Sequence, residues 1–257
     1  MYLYEAISCR HTVRRYLEKK VPEELRRQIL RFFDSTERLD DHLAAEAVIS
    51  DREEKKGRGK RGFRRRDSGA PQLLTVYSAA GSLAEKNAGY ILEQVALYLV
   101  CKGIGSRILG GEAGAGRARN GKRAVASMEF GYPDEPLFRE SPLAKRLPLR
   151  KLCFPSEEPE EAMRTILRAA RLAPSALNCQ PWRFEPSGMK LRVFEKITLA
   201  GKLAGRKYRE VSFGCMLANI SLAADELWLH ENIVFAGAAS GKGGNTPNLV
   251  MTITFTP

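Results

Sequence analysis

The feature that most constrains this fold is an internal repeat. The stretch PEELRRQILR, which begins at Pro22, is matched by PEEAMRTILR, which begins at Pro159. Apolar residues recur at helical spacing in both stretches, and a Pro-Glu-Glu start suits a helix N-terminus. The sequence therefore predicts one amphipathic helix at a matching place in each half.

Two further elements follow in the same order in each half. GYILEQVALYLVCKGIG, from Gly89, is echoed by GCMLANISLAADELWLH, from Gly214, and both carry a wide apolar stripe. Each half then closes on a β-rich segment, at residues 124–132 and 249–255. This order indicates duplication of one α+β unit. We predict one continuous pseudo-dimeric domain with lobes at 1–147 and 148–257, in which helices pack on antiparallel-rich sheets.

The remaining secondary structure follows from alternation and turn residues. Further strands are predicted at residues 73–77, 107–109, 182–185, 190–194 and 233–235. Loops are predicted at 49–69 and 238–245, and the segment between the lobes, 145–159, is predicted to be extended.

Composition excludes several classes of protein. The 257 residues are 44% hydrophobic and 28% charged, which is typical of a soluble globular protein. The best apolar run, near residues 89–105, is broken by Glu93, Gln94 and Lys102, so no membrane span is expected. The N-terminus lacks a signal-peptide pattern, and five cysteines without a CxxC pair fit reduced thiols. We expect a cytoplasmic protein without a metal site.

The net charge of +12 raises nucleic acid as a partner, but its distribution argues against this. Residues 52–66 read REEKKGRGKRGFRRR, with nine Lys or Arg against two Glu, so much of the excess lies in one Gly-interrupted run. Such a run is typical of a solvated loop.

An N-terminal segment, ISCRHTVRRY, places Arg10, Thr12 and Arg14 at alternate positions. In an extended chain these side chains point the same way, so two guanidinium groups flank a hydroxyl. That arrangement suits a phosphate. The alternative is a solvated basic face.

A second segment, LAPSALNCQPWRF, follows the repeated helix of the second half. It presents Asn178 and Gln180, whose amides donate and accept hydrogen bonds without titrating. Such side chains suit a planar heteroaromatic ring. Gln180 and Trp182 also fit a structural role, and Cys179 fits a small buried filler.

Together these two segments resemble the FMN-dependent nitroreductase family. EAISCRHTVRRY resembles the family's opening Arg-x-Ser/Thr-x-Arg clamp, and AARLAPSALNCQPWRF resembles its Ala-Pro-Ser, Asn-x-Gln-Pro-Trp signature. GYP at 131–133 and the Lys-Arg pair at 145–146 resemble later family features. The signatures lie in different halves here, which resembles the single-chain subgroup called TM nitroreductases, whose halves mimic the usual dimer.

The resemblance implies one complete cofactor site and one decayed site per chain. It implies that Arg10 and Thr12 hold the ribityl-phosphate arm of FMN and that Arg14 lies near the flavin N1/O2 edge. His11 is a flavin neighbour or a surface residue. The other implied cofactor-binding residues are Gly110, Gly111, Lys145, Arg146, Pro174, Ser175 and Asn178.

The implied activity is ping-pong reduction of a nitroaromatic or quinone-like acceptor, with NADH or NADPH as the electron donor. The flavin performs the chemistry, so no side chain is named as catalytic. Fusion of the halves makes a monomer the expected state. Two alternatives remain: a flavin-binding or degenerate protein without turnover, and a nucleic-acid binder acting through residues 52–66, whose binding would weaken steeply with salt.

Overall fold

The computed structural model describes residues 1–52, 68–109, 118–155, 157–237 and 248–257. Within these residues helices and antiparallel sheets are mixed, so the predicted α+β class is confirmed. The helices are α1 (Leu3–Cys9), α2 (Glu23–Ser35), α3 (Ala84–Cys101), α4 (Leu149–Leu152), α5 (Glu161–Leu172), α6 (Leu199–Ala204) and α7 (Arg206–Glu226). The strands are β1 (Ala45–Asp51), β2 (Gln72–Ser78), β3 (Gly105–Ile108), β4 (Arg123–Gly131), β5 (Trp182–Ser187), β6 (Lys190–Glu195), β7 (His230–Phe235) and β8 (Asn248–Thr256).

The described strands form two four-stranded antiparallel sheets with the same order. The first runs β1-β2-β4-β3 and the second β5-β6-β8-β7, so the closing strand of each half lies inside its sheet. Each sheet has a register shift in its second strand, at Val76/Tyr77 and at Val193/Phe194. The two halves therefore repeat the same pairing scheme.

The two longest helices, α3 and α7, cross where their backbones touch. A Cβ atom added to Gly89 would lie 2.1 Å from the carbonyl oxygen of Val211, and one added to Gly214 would lie 1.9 Å from that of Lys86. These glycines open the two matched stretches of the repeat. The crossing therefore depends on the absence of a side chain at the same position of both helices.

Replacing Gly214 with alanine is expected to lower the free energy of unfolding by about 3 kcal/mol or more, because backbone on the facing helix cannot give way as a side chain would. This loss outweighs the gain of about 1 kcal/mol that alanine normally brings to a helix. Urea unfolding monitored by circular dichroism measures it. Gly237→Ala is the control, since an added Cβ there meets no atom within 4 Å. Equal unfolding midpoints for the two variants would contradict the close crossing.

Contacts in the core also join the halves. Ala6 and Ile7 of α1 belong to the same buried cluster as Trp182 and Phe184 of β5. Trp182 is fully buried, in agreement with the structural role expected for it. Helix α1 thus carries the chain that follows it to the boundary between the halves.

Some sequence predictions need correction. Strand β1 extends to Asp51, into the predicted loop at 49–69, because its last residues pair with the start of β2. The segment 145–159 is not wholly extended, since α4 forms one helical turn within it. The loop at 238–245 and all of the basic run except Arg52 lie outside the described residues. None of the described helices is both long and apolar enough to cross a membrane.

Candidate functional site

A cavity of about 980 Å³ lies between the two halves. Small-molecule and cofactor sites are typically clefts of this order of size. Nine of the eleven cofactor-binding residues predicted from the sequence line it: Arg10, His11, Thr12, Arg14, Lys145, Arg146, Pro174, Ser175 and Asn178. The other two, Gly110 and Gly111, lie outside the described residues. The two sequence signatures, more than 150 residues apart in the chain, thus meet at one place.

The first wall of the cavity is the segment that follows α1. The backbone N–H of Val13 donates to the carbonyl of Ser106 on β3 (3.0 Å), and Leu17 donates to Tyr132 (2.9 Å), which holds the segment along the first sheet. Val13 is fully buried and packs on Gly105. Its neighbours Thr12 and Arg14 both reach the cavity, as alternation predicts.

Arg10 forms a buried ion pair at the base of the cavity. Its Nε lies 3.2 Å from Oε1 of Glu93 on α3, and the two side chains are only 4% and 1% exposed. Burial raises the pKa of Glu93, and the nearby Arg10 and Arg146 oppose that rise. The sequence indicated Arg10 but not its partner.

Three guanidinium groups crowd this end of the cavity. The pKa of Arg146 is lowered to about 10, first by burial and then by the positive charges of Arg10 and Arg139. The pKa of Arg139 is also lowered, first by burial and then by Arg10. Glu93 is the carboxylate that offsets these charges. The cluster is therefore short of negative charge.

Arg139 is, like Glu93, a residue of the site that sequence reasoning missed. Its Nε and Nη2 atoms are buried without a hydrogen-bond partner, although the side chain lines the cavity. Its backbone N–H donates to the carbonyl of Cys9 (2.8 Å), and Phe138 pairs with Arg10 in a bridge, so tertiary pairing brings it here. Unpaired buried donors are costly, and an anion bound in the cavity would satisfy them.

The second wall is the loop after α5. The guanidinium of Arg146 donates to the carbonyls of Leu172 (3.3 Å) and Ala173 (3.1 Å), which end that helix. Asn178 accepts from Arg146 Nη1 (3.0 Å) and donates to the carbonyl of Lys145 (2.8 Å). Gln180 accepts from the N–H of Leu147 (2.7 Å). Both amides therefore fasten the segment that joins the halves, and the ring contact that the sequence suggested stays a prediction.

This loop holds three non-glycine residues in the left-handed region of backbone space. They are Leu177 (φ 50°), Asn178 (φ 53°) and Gln180 (φ 43°). Such conformations cost of order 1 kcal/mol or more each, and they cluster at functional sites. Leu177 is also 63% exposed and lines the cavity.

Replacing Asn178 is expected to destabilise the protein through two effects, the loss of hydrogen bonds and backbone strain, which two variants can separate. Asn178→Gly keeps the left-handed backbone but loses two hydrogen bonds, at a cost of about 1 kcal/mol in unfolding free energy. Asn178→Ala loses the bonds and is strained as well, so it should cost about 1 kcal/mol more. Urea unfolding of both variants measures the order. An alanine variant at least as stable as the glycine variant would contradict this interpretation.

Helix α7 forms the floor of the cavity. The hydroxyl of Ser212 accepts from the N–H of Ala176 (3.1 Å) and so fixes the loop to the helix. Cys215 also lines the cavity, and burial raises the pKa of its thiol well above the ordinary value. It is a packing group and not a thiolate nucleophile.

The family of the chain is decided by a match over most of its length. A family model described as "Putative TM nitroreductase" matches residues 2–224. The chain belongs to this nitroreductase family. The resemblance found in the sequence is thereby confirmed.

Solved structures share the nitroreductase fold. A "putative nitroreductase" from Thermotoga maritima is 22% identical, covers 100% of this chain and 95% of its own, and superposes with a TM-score of 0.67. An FMN-dependent nitroreductase from Clostridium difficile is 12% identical and covers 57% of this chain and 97% of its own, with a TM-score of 0.46. An FMN- and NADPH-dependent nitroreductase from Sphigopyxis sp. is 15% identical and covers 59% and 97%, with a TM-score of 0.44. The sequence has no significant match among curated proteins.

Proposed function

We propose that this nitroreductase-family protein binds one FMN in the cavity and acts as an NAD(P)H-dependent oxidoreductase on small-molecule acceptors. The observation that carries the proposal is the guanidinium cluster of Arg10, Arg139 and Arg146. Its three positive charges exceed the one negative charge of Glu93, and two buried nitrogen atoms of Arg139 have no hydrogen-bond partner. A phosphate group supplies both the charge and the acceptors.

Different residues of this chain would bind different parts of the cofactor. Arg10, Arg139 and Lys145 are proposed to bind the phosphate, with the Thr12 hydroxyl beside them. Arg146 fixes the loop after α5 and adds its charge to the phosphate end. The buried Nε and Nη2 atoms of Arg139, which have no partner, show that the site fits a phosphate, because a phosphate group is rich in hydrogen-bond acceptors.

Arg14 and Arg107 also line the cavity. Arg107 is held by Glu129, with Nε donating at 2.8 Å, so its position is fixed. We propose that Arg14 and His11 line the ring of the cofactor from the first half, and that Pro174 and Ser175 line it from the second. A cation beside the ring stabilises its anionic reduced form and raises its reduction potential.

When bound, FMN would supply the redox chemistry, taking hydride from NADH or NADPH and passing electrons to an acceptor such as a nitroaromatic or a quinone. The protein would position the cofactor, supply positive charge beside it and admit the acceptor. Leu143 and Leu203 line the cavity and are 66% and 74% exposed. Leu177 also lines it and is exposed to a similar degree. These leucines offer an apolar rim on which an aromatic acceptor could pack.

We also propose that the halves arose by duplication and that the protein is a cytoplasmic monomer. The repeated sheet order and the matched glycine crossing support duplication. A fused pair of halves supplies both walls of the site from one chain, which removes the need for a second subunit.

The activity is tested by anaerobic stopped-flow spectroscopy of the FMN-loaded protein. The proposal predicts that NADH or NADPH bleaches the bound flavin and that a nitroaromatic or a quinone restores its colour. Double-reciprocal plots of steady-state rate against NAD(P)H concentration, at several fixed acceptor concentrations, should give parallel lines, as expected for a ping-pong reaction. Bound flavin that neither donor reduces would contradict the enzymatic proposal and favour a flavin-binding protein without turnover.

A further inference from the structure

We propose that a second, smaller cavity binds a small aliphatic amine. This cavity, of about 200 Å³, lies between the C-terminal end of α2 and the second half of α7. Its polar lining includes Glu37, Tyr90, Ser221 and Asp225. No sequence motif pointed to it, and the proposal does not depend on the function proposed for the larger cavity.

The second cavity lies beside the segment after α2, which corresponds in the repeat to the segment after α5 that lines the first cavity. At the larger cavity the N–H of Ala176, after α5, donates to Ser212 on α7 (3.1 Å). Near the smaller cavity the N–H of Leu39, after α2, donates to Asn87 on α3 (2.9 Å). Ser212 and Asn87 each precede the crossing glycine of their helix by two residues. The same loop-to-helix hydrogen bond therefore forms in both halves.

The charge of the two cavities is opposite. The larger one is lined by arginines and a lysine, whereas Glu37 and Asp225 line the smaller one and Glu231 lies close by. Among the described residues none of these three carboxylates forms an ion pair with a lysine or an arginine, although the chain has a net charge of +12. Such a site repels a phosphate and attracts a cation.

The three carboxylates also act on one another. Burial raises the pKa of Asp225, Glu37 raises it further, and His230 opposes the rise. Burial likewise raises the pKa of Glu231, and the nearby Ser221 hydroxyl opposes the rise while Asp225 and Glu37 add to it. A bound cation would relieve this repulsion.

A buried hydroxyl points to a ligand independently of the charges. Ser221 is 2% exposed and lines the cavity, and its Oγ has no hydrogen bond of good geometry, although Tyr90 and Glu231 lie near it. Glu37 is held in place, since its carboxylate accepts from the Tyr90 hydroxyl (3.2 Å) and its carbonyl from Gln94 (3.1 Å). An ammonium group has three donors, which these acceptors can satisfy.

The size and the apolar lining define the rest of the ligand. A water molecule takes about 30 Å³ in the liquid, so the cavity has room for about six heavy atoms. Leu3, Phe32 and Leu222 line it beside the carboxylates and can cover a short alkyl chain. Within the described part of the chain no three His, Cys, Asp or Glu side chains are arranged to hold a metal ion, which favours an organic cation.

The test is a titration of the isotopically labelled, full-length protein with n-butylammonium chloride, followed by amide NMR shifts. We expect saturable shifts at residues around the cavity, including Glu37, Tyr90 and Ser221, with a dissociation constant in the millimolar range. Butan-1-ol, a neutral molecule of similar shape, should produce no such shifts at equal concentration. Sodium chloride at the same concentration controls for ionic strength.

A double variant, Glu37→Gln with Asp225→Asn, should bind n-butylammonium at least tenfold more weakly. Both side chains are exposed, so the variant is expected to fold, and its amide spectrum checks this. Glu226→Gln, the next position on α7 and outside the cavity lining, should leave binding unchanged. The proposal is overturned if the wild-type protein shows no saturable shifts, if butan-1-ol reproduces them, or if the double variant binds as tightly as the wild type.

Discussion

Replacing Arg10 with glutamine is expected to lower the free energy of unfolding by about 3–5 kcal/mol at neutral pH. The change leaves the carboxylate of Glu93, which is 1% exposed, without its ion-pair partner. A buried charge without a partner costs far more than the pair itself contributes. Urea unfolding measures the loss, and FMN binding should be lost as well.

A second substitution separates the two effects of Arg10. In the double variant, Arg10→Gln with Glu93→Gln, both charges of the buried ion pair are removed, so most of the lost stability should return. FMN binding should not return, because the cation that binds phosphate is still missing. A double variant as unstable as the single one would show that the ion pair is not the cause.

The pH dependence of the unfolding free energy is a second measurement that compares Arg10→Gln with the double variant. Burial raises the pKa of Glu93 above that of a carboxyl in the unfolded chain, so the folded state binds more protons between the two values. The stability of Arg10→Gln should be greatest below the ordinary carboxyl pKa and should fall as the pH rises through the raised value. The double variant should lack this fall.

Replacing Arg139 with glutamine is expected to weaken FMN binding by about ten- to a hundredfold, because charge-assisted hydrogen bonds contribute about 1.5–3 kcal/mol. Riboflavin, which lacks the phosphate, should bind the variant and the wild type equally. Fluorescence titration with the two flavins measures both affinities. Arg15→Gln is the matched control, since Arg15 is exposed, pairs with Glu135 (3.6 Å) and does not line the cavity.

Two outcomes would contradict the role given to Arg139. A variant that loses affinity for riboflavin as much as for FMN would place Arg139 at the ring or in the framework of the cavity. A variant with unchanged FMN affinity would mean that its buried donors serve another anion, such as the electron acceptor.

The sequence was most informative where a pattern is local. The amphipathic helices after Pro22 and Pro159 and the closing strands are confirmed as α2, α5, β4 and β8. These elements carry their own periodicity, so one window of sequence suffices to predict them. The glycines that open the two matched stretches proved to mark the helix crossing.

Elements that depend on distant partners were not predicted. Helix α1 has seven residues, too few to be stable alone, and it forms because Ala6 and Ile7 pack in the core of the other half. Strand β1 ends in the polar residues Ser50 and Asp51, and only its pairing with β2 makes it a strand. Tertiary contacts thus decide both.

The same distinction holds for the candidate site. Arg10, Thr12 and Arg14 lie in one short segment, so their spacing predicted that they share a wall of a cavity. Glu93 and Arg139 lie far from that segment in sequence, and no pattern connects them to it. Asn178 was placed at the site, but its role in fastening the segment between the halves depends on Lys145 and Arg146, which the spacing could not show.

In the proposed function, the two halves of one chain form a single flavin site. The most direct measurement is the absorbance spectrum of purified protein after incubation with excess FMN and desalting, beside the Arg10→Gln/Glu93→Gln variant. We expect flavin bands at about one FMN per wild-type chain and their loss in the folded variant. A folded wild-type protein that stays colourless, or one that retains two FMN per chain, would contradict it.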